Sequence, residues 1–315
     1  MKIVFLDRDT MSPRTVVRAP AFDHVLEVFD RTTAAQVGQR IADADIVITN
    51  KVKLTAADIE GAPRLRLVAI AATGSDNIDL RACEARGVVV SNIRGYATHT
   101  VPEHTFALIF ALRRSIVAYH ESVKRGRWQQ SGQFCYFDHP IRDLHGSVLG
   151  IVGDGALGTA VAAIGRALGM QVLFSAFKGS TGMGALYTPF EEVLERSDVL
   201  TLHCPLLPGT RNLIGAPEFA RMRRRPLLIN TARGGLVDEP ALAEALRTGR
   251  IGGAGVDVYA TEPATADNPL RGIENVVLTP HIASATVQTR TRMAELVIEN
   301  LRAFMDGTQL PSALV

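Results

Sequence analysis

Short, almost unbroken apolar runs alternate with amphipathic stretches along the whole chain. Runs at 2–6, 45–49, 65–70 and 87–91 predict a first set of strands. Runs at 147–152, 171–175, 198–202, 226–230, 253–257 and 275–278 predict a second. Helical signals lie at 34–43 and 80–86, and over 238–246 with Asp238 as N-cap and Pro240 in the first turn. A long helix is predicted from Thr100 to about Lys124, because Phe106, Ile109, Leu112, Ile116 and Tyr119 recur at three- and four-residue spacing and Pro102 suits a first turn. Met293, Leu296, Val297, Leu301 and Phe304 mark a last helix over 286–305. The stretch 126–146 is aromatic and irregular and reads as a connector. Strands this uniformly apolar, alternating with helices, predict an α/β architecture of parallel sheets covered on both faces: a smaller unit first, then a doubly wound one.

The second set of strands opens on Gly146-Ser-Val-Leu-Gly-Ile-Val-Gly-Asp-Gly-Ala-Leu-Gly158. A strand runs into Gly153-x-Gly155-x-x-Gly158, and an Ala-rich helix follows. Gly153 would permit the tight turn, Gly155 the close approach of a pyrophosphate, and Gly158 close packing of the helix. The helix N-terminus would offer Ala156 and Leu157 N–H groups and a partial positive charge to phosphates. A glycine-rich turn without ligand is the plain alternative. The strand before, the helix after and a second strand at 171–175 favour a dinucleotide site.

Composition narrows the classes. With 315 residues, two domains are expected, and 47% hydrophobic residues suffice for a large core. A formal charge of +2 with interspersed acids and bases gives no reason to expect nucleic acid or a membrane as partner. The N-terminus turns charged too soon for a signal peptide, and no apolar run approaches a membrane span. Cys83, Cys135 and Cys204 cannot all pair within the chain, and their spacing does not resemble a zinc site. No metal and a reduced, cytoplasmic setting are therefore expected.

Ligands of open α/β sheets bind beyond the carboxyl ends of the strands. Three such ends carry Arg233 in Asn230-Thr-Ala-Arg-Gly-Gly, Glu262 in Asp257-Val-Tyr-Ala-Thr-Glu-Pro, and His281 in Thr279-Pro-His. Reduction of a 2-oxo acid needs those types. A guanidinium binds a carboxylate bidentately and polarises the carbonyl beside it. An imidazole exchanges a proton near neutral pH, and a carboxylate on its other nitrogen favours the protonated ring. Singly, each has an ordinary structural reading; together, beside a dinucleotide loop, they point to chemistry.

These stretches, with Ala72-Thr-Gly-Ser-Asp-Asn-Ile-Asp79, Leu202-His-Cys-Pro-Leu206 and Gly255-Val-Asp-Val258, resemble the D-isomer-specific 2-hydroxyacid dehydrogenase family over nearly the whole chain. Gln129–Phe137 and Phe174–Gly179 are most similar to its bacterial glycerate dehydrogenase, or hydroxypyruvate reductase, branch. The resemblance implies a Rossmann cofactor domain, residues 100–285, inserted in a flavodoxin-like substrate domain of residues 1–99 and 286–315. It implies that Arg233 binds and polarises the substrate, that His281 is the acid/base and that Glu262 is its partner. Main-chain N–H groups near Thr73 and Gly74 would hold the substrate carboxylate. Asp257 would meet the nicotinamide carboxamide, with Thr100 and Val101 lining that pocket. His203, Cys204, Pro205, Thr231 and Ala232 would contact the cofactor. Cys204 as a nucleophile is set aside, because no thiolate chemistry is required.

The substrate implied is a small 2-oxo acid, hydroxypyruvate or glyoxylate, and the cofactor NAD or NADP. The long helix after 100 resembles a dimerisation arm, so a homodimer is expected. No added regulatory domain like that of some relatives is expected after residue 315. Two departures stand out. Pro102 replaces a small residue. Ala176 stands where NAD enzymes carry an acid, with Ser175, Lys178 and Ser180 around it, which favours use of NADPH. The rival readings are a dehydrogenase for another 2-oxo acid and a non-catalytic, nucleotide-sensing binding protein.

Overall fold

The computed structural model describes residues 1–180 and 182–315. The chain divides into two compact units, Met1–Ala97 with Ser284–Val315, and Thr98–Ala283.

The first unit holds strands β1 (Lys2–Phe5), β2 (Val25–Val28), β3 (Ile46–Thr49), β4 (Leu67–Ile70) and β5 (Val89–Ser91). They form a parallel sheet in the order β2-β1-β3-β4-β5, the flavodoxin-like order. Successive residues of a strand face opposite sides. Val4, Val47, Val68 and Val90 therefore pack with Val37, Ile41, Ile59 and Cys83 on one face. Ile3, Phe5, Ile46, Ile48 and Leu67 meet Met293, Val297 and Leu301 of the helix Val287–Met305 on the other. The strand β2 has no counterpart in the apolar pattern, because it is an edge strand whose Val25 and Val28 stay exposed. Where the strand order reverses, between β1 and β3, the Asp7 carboxylate accepts the main-chain N–H groups of Asn50, Lys51 and Val52 at 2.5–3.1 Å. Burial pushes its pKa up against those bonds.

The second unit holds β6 (Val148–Val152), β7 (Gln171–Ser175), β8 (Tyr187–Thr188), β9 (Val199–Leu202), β10 (Leu227–Asn230), β11 (Gly253–Val256) and β12 (Val276–Leu278). The order β12-β11-β10-β9-β6-β7-β8, parallel throughout, is the doubly wound Rossmann arrangement with a seventh strand at one edge. The helices Thr100–Arg113 and Ala156–Ala167 cover one face through Phe106, Ile109 and Val161. The helices Phe190–Arg196, Ala216–Arg221 and Glu239–Arg247 cover the other. Asp238 caps the last of these, accepting the Ala241 N–H at 3.0 Å.

The long helix expected from Thr100 to Lys124 is two helices, Thr100–Arg113 and Ile116–Lys124. Ser115 between them has φ of 51°, and its Oγ donates to the Pro140 carbonyl at 2.6 Å. The apolar spacing runs through the break because only the backbone turns there. Ile116, one of the residues recurring at helical spacing, is exposed. The connector after it contains a short helix, Arg127–Ser131.

Candidate active site

The turn out of β6 needs its glycines. Gly153 has φ of +106°, and a β-carbon on it would lie 2.6 Å from the His203 carbonyl carbon, so the loops after β6 and β9 meet there. A β-carbon on Gly158 would lie 2.0 Å from the Gly153 carbonyl oxygen, which forces the helix Ala156–Ala167 onto its own entry loop. Beyond its immediate chain neighbours, no described atom approaches within 4 Å of where a Gly155 side chain would start. Gly155 is also the N-cap of that helix, and no side chain caps it. The first-turn N–H groups of Ala156 and Leu157 thus lack intrahelical acceptors beside open space, which fits a diphosphate.

At the next strand, Ser175 and Ala176 are buried, and the Ser175 Oγ donates to the Ala176 carbonyl at 2.7 Å. Lys178 donates its ammonium to Glu218 Oε1 at 2.8 Å, and the Ser180 hydroxyl donates to the Phe177 carbonyl at 2.7 Å. The three polar side chains singled out around Ala176 are thus each engaged within the chain. Tyr187 of β8 donates its hydroxyl to Asp154 of the glycine-rich turn.

After β9, His203 sits 2.9 Å by Nε2 from the Thr201 hydroxyl, and burial drives its pKa down to about 4, so the ring is neutral at pH 7. Burial drives the neighbouring Cys204 thiol up to about 11, far from a thiolate nucleophile. Pro205 accepts the Thr210 hydroxyl at its carbonyl.

The ends of β10, β11 and β12 interlock. The Asn230 side chain closes the turn after β10, donating to the Arg233 carbonyl at 2.9 Å and accepting the Ala232 N–H at 3.1 Å. Thr231 meets the Thr105 hydroxyl at 3.2 Å. The Arg233 guanidinium donates to the Ala232 carbonyl at 2.8 Å. Gly234 then packs directly on the Tyr259–Ala260 peptide. Two further residues along that second loop, Glu262 accepts the Tyr259 N–H at 3.0 Å on Oε1 and meets His281 Nδ1 at 2.6 Å on Oε2. With Nδ1–H on the carboxylate, Nε2 of His281 is left to exchange a proton elsewhere.

Asp257 organises the third loop. The residue is fully buried, and its carbonyl accepts the His281 N–H at 2.8 Å. Its carboxylate accepts the Ile282 N–H and the Ala283 N–H, each at 2.9 Å, and the Thr279 hydroxyl at 2.5 Å. These bonds hold His281 at φ of 56°, a left-handed conformation that a histidine seldom adopts unaided. His104 reaches the same cluster, 3.1 Å from the Thr279 hydroxyl and 3.6 Å from Asp257. Tyr259 donates its hydroxyl to the Thr279 carbonyl at 3.1 Å, and burial followed by the Asp257, Glu239 and Glu262 charges raises its pKa. Thr100 donates to the Ala283 carbonyl at 3.2 Å, and Val101 beside it is buried.

In the first unit, Thr73 and Gly74 follow β4. The Thr73 hydroxyl donates to the Ile93 carbonyl at 2.9 Å, and its carbonyl accepts the Asn92 amide at 2.6 Å. Its N–H faces the Tyr96 hydroxyl at 3.4 Å. Arg290 of the last helix is half-buried, and burial lowers its pKa. Motif reading passed over Tyr96, His104, Tyr187, Glu218 and Arg290. Tyr96 and His104 each lie four residues from Thr100, and the other three lie farther from any candidate site residue.

Comparison with known proteins shows the family. A family model described as D-isomer specific 2-hydroxyacid dehydrogenase, NAD binding domain, matches residues 106–283. The chain is 47% identical over 309 residues to a glycerate dehydrogenase of Methylorubrum extorquens, covering 97% of this chain and 96% of that one. It is 35% identical over 316 residues to a hydroxypyruvate reductase of Blautia hydrogenotrophica, covering 98% of each. Among solved structures it is similar, with a TM-score of 0.81 and 28% identity, to the NADPH-dependent glyoxylate/hydroxypyruvate reductase of Sinorhizobium meliloti in complex with NADP and malonate, covering 100% of this chain and 96% of that one. Among the described residues, no helix is long and apolar enough to cross a membrane. The chain belongs to the D-isomer-specific 2-hydroxyacid dehydrogenase family.

Proposed function

We propose that the protein reduces a small 2-oxo acid, hydroxypyruvate or glyoxylate, to the D-2-hydroxy acid with NADH or NADPH, reversibly. The carrying observation is the 2.6 Å contact of Glu262 with His281 Nδ1, on a loop against which the Arg233 turn is packed through Gly234. When bound, the nicotinamide supplies the hydride, which no side chain can. Arg233 binds the substrate carboxylate and draws electron density from the carbonyl. His281 delivers a proton from Nε2 to the carbonyl oxygen as C2 accepts the hydride, so C=O becomes CH–OH. Glu262 stabilises the imidazolium that precedes the transfer. Thr73 and Gly74 present main-chain N–H groups to the carboxylate. In the oxidative direction the proton returns to neutral His281.

The cofactor role of Gly153, Gly155, Ala156, Leu157 and Gly158 rests on the uncapped helix start and the open space at Gly155. Thr100, Val101, Ser175, Ala176, Lys178, His203, Cys204, Pro205, Thr231, Ala232 and Asp257 complete that side. Since Ala176, just past the end of β7, carries no carboxylate, NADPH is used at least as well as NADH. The working form is a homodimer. Phe110, Ile116, Val117, Trp128, Phe134 and Phe137 support this, because they leave a contiguous stretch of chain rich in exposed large apolar side chains. Three unpaired cysteines support a reduced, cytoplasmic setting. A rate panel of 2-oxo acids with each cofactor tests the assignment, and sedimentation tests the dimer.

A further inference from the structure

We infer that Glu218 sets the cofactor preference, by holding the Lys178 ammonium as a neutral ion pair beside the end of β7. The inference rests on the cofactor site proposed above. In a Rossmann sheet the strand end about 20 residues beyond the glycine turn faces the adenosine ribose, where a carboxylate selects the 2′-hydroxyl and a cation selects a 2′-phosphate. Here β7 ends at Ser175, and Ala176 is buried and carries no charge. Lys178, two positions on, is the nearest cation in the sequence, and its side chain is 46% exposed. Its ammonium lies 2.8 Å from Glu218 Oε1.

Glu218 is not a drifting surface acid. Its side chain is only 8% exposed, and Oε2 accepts the Gly215 N–H at 2.9 Å at the start of the helix Ala216–Arg221. The carboxylate is therefore fixed by its own helix and imposes its position on the flexible lysine. A 2′-phosphate must compete with it for the ammonium. The pair as a whole is neutral, so it neither repels a phosphate as an acid would nor attracts it as a free lysine would. Removing the Glu218 charge releases a full positive charge to that position. Glutamine keeps an oxygen for the Gly215 N–H, so E218Q separates the ion pair from the cap.

Calorimetric titration with adenosine 2′,5′-bisphosphate and with AMP tests this, alongside kcat/KM for NADPH and NADH. E218Q should tighten the bisphosphate about fivefold or more, the scale of one exposed charge contact, and leave AMP within about twofold. The kcat/KM ratio of NADPH to NADH should rise by a similar factor, with KM for hydroxypyruvate unchanged. K178Q should weaken the bisphosphate, and K178Q/E218Q should abolish the gain seen in E218Q. An E218Q protein that binds AMP normally but shows no gain for the bisphosphate overturns the inference alone. So does an equal gain in the double variant. Failure of the wild type to bind AMP, NADH and NADPH overturns the cofactor site and the inference together.

Discussion

Gly234 lies so close to Tyr259 that a β-carbon on it would stand 1.8 Å from the Tyr259 carbonyl carbon. That contact ties the turn presenting Arg233 to the loop presenting Glu262, and neither backbone can rotate away as a side chain could. Gly234→Ala should push the two loops apart. We expect kcat/KM for hydroxypyruvate to fall about 10²-fold or more, the scale of a misplaced catalytic group. Overpacking should lower stability by roughly 1–3 kcal/mol. The turn at Gly153 lies on another strand end, so affinity for AMP should change less than kcat/KM does. Steady-state kinetics with an AMP titration checks this, and unaltered kcat/KM would show that the contact does not position the site.

Glu262→Gln keeps the size of the side chain and removes the charge beside His281 Nδ1. Reduction needs the protonated ring, and the carboxylate favours that form. The kcat for reduction should therefore drop about tenfold or more, with cofactor affinity preserved. A kcat equal to that of the wild type would remove Glu262 from the pair.

Ala176→Asp introduces the carboxylate that β7 lacks. It should shift preference toward NADH by about tenfold, roughly 1.4 kcal/mol, through phosphate repulsion and a new ribose hydrogen bond. Paired kcat/KM values decide it. A wild type that already prefers NADH about tenfold would contradict the reading of Ala176.

The thiols give a check on the packing of each unit. Burial drives Cys204 up to about 11, as burial and then the Asp79 charge do for Cys83, while Cys135 is exposed. At pH 8 only about one in a thousand of a thiol of that pKa is thiolate. Iodoacetamide should therefore label Cys135 first in the native protein, and Cys83 and Cys204 only after unfolding. Peptide mapping that finds Cys204 modified as fast as Cys135 would reopen it as a reactive group.

Much of this architecture is legible in the sequence because its signals are local. The strands at 147–152 and 226–230 are apolar runs, and Gly153, Arg233 and His281 sit just past strand ends. What escaped the pattern is long-range or weakly marked. The edge strand β2 leaves Val25 exposed, and β8 spans only Tyr187–Thr188. A serine turning left-handed at Ser115 breaks a helix without interrupting its apolar spacing. Lys178 is legible as a cation just past a strand end, but its partner Glu218 lies 40 positions away and on another element. The same holds for His104, which meets Thr279 only after folding.

The central claim is that the loops after β10, β11 and β12 carry out reduction of a 2-oxo acid. The most direct measurement is NADPH and NADH oxidation by the purified wild type and by H281A, with hydroxypyruvate, glyoxylate and pyruvate as substrates. The account predicts turnover of hydroxypyruvate or glyoxylate by the wild type. It predicts a kcat about 10²–10⁴-fold lower in H281A with cofactor affinity preserved. No turnover of any 2-oxo acid by a wild type that binds cofactor, or an H281A protein as fast as wild type, would contradict it.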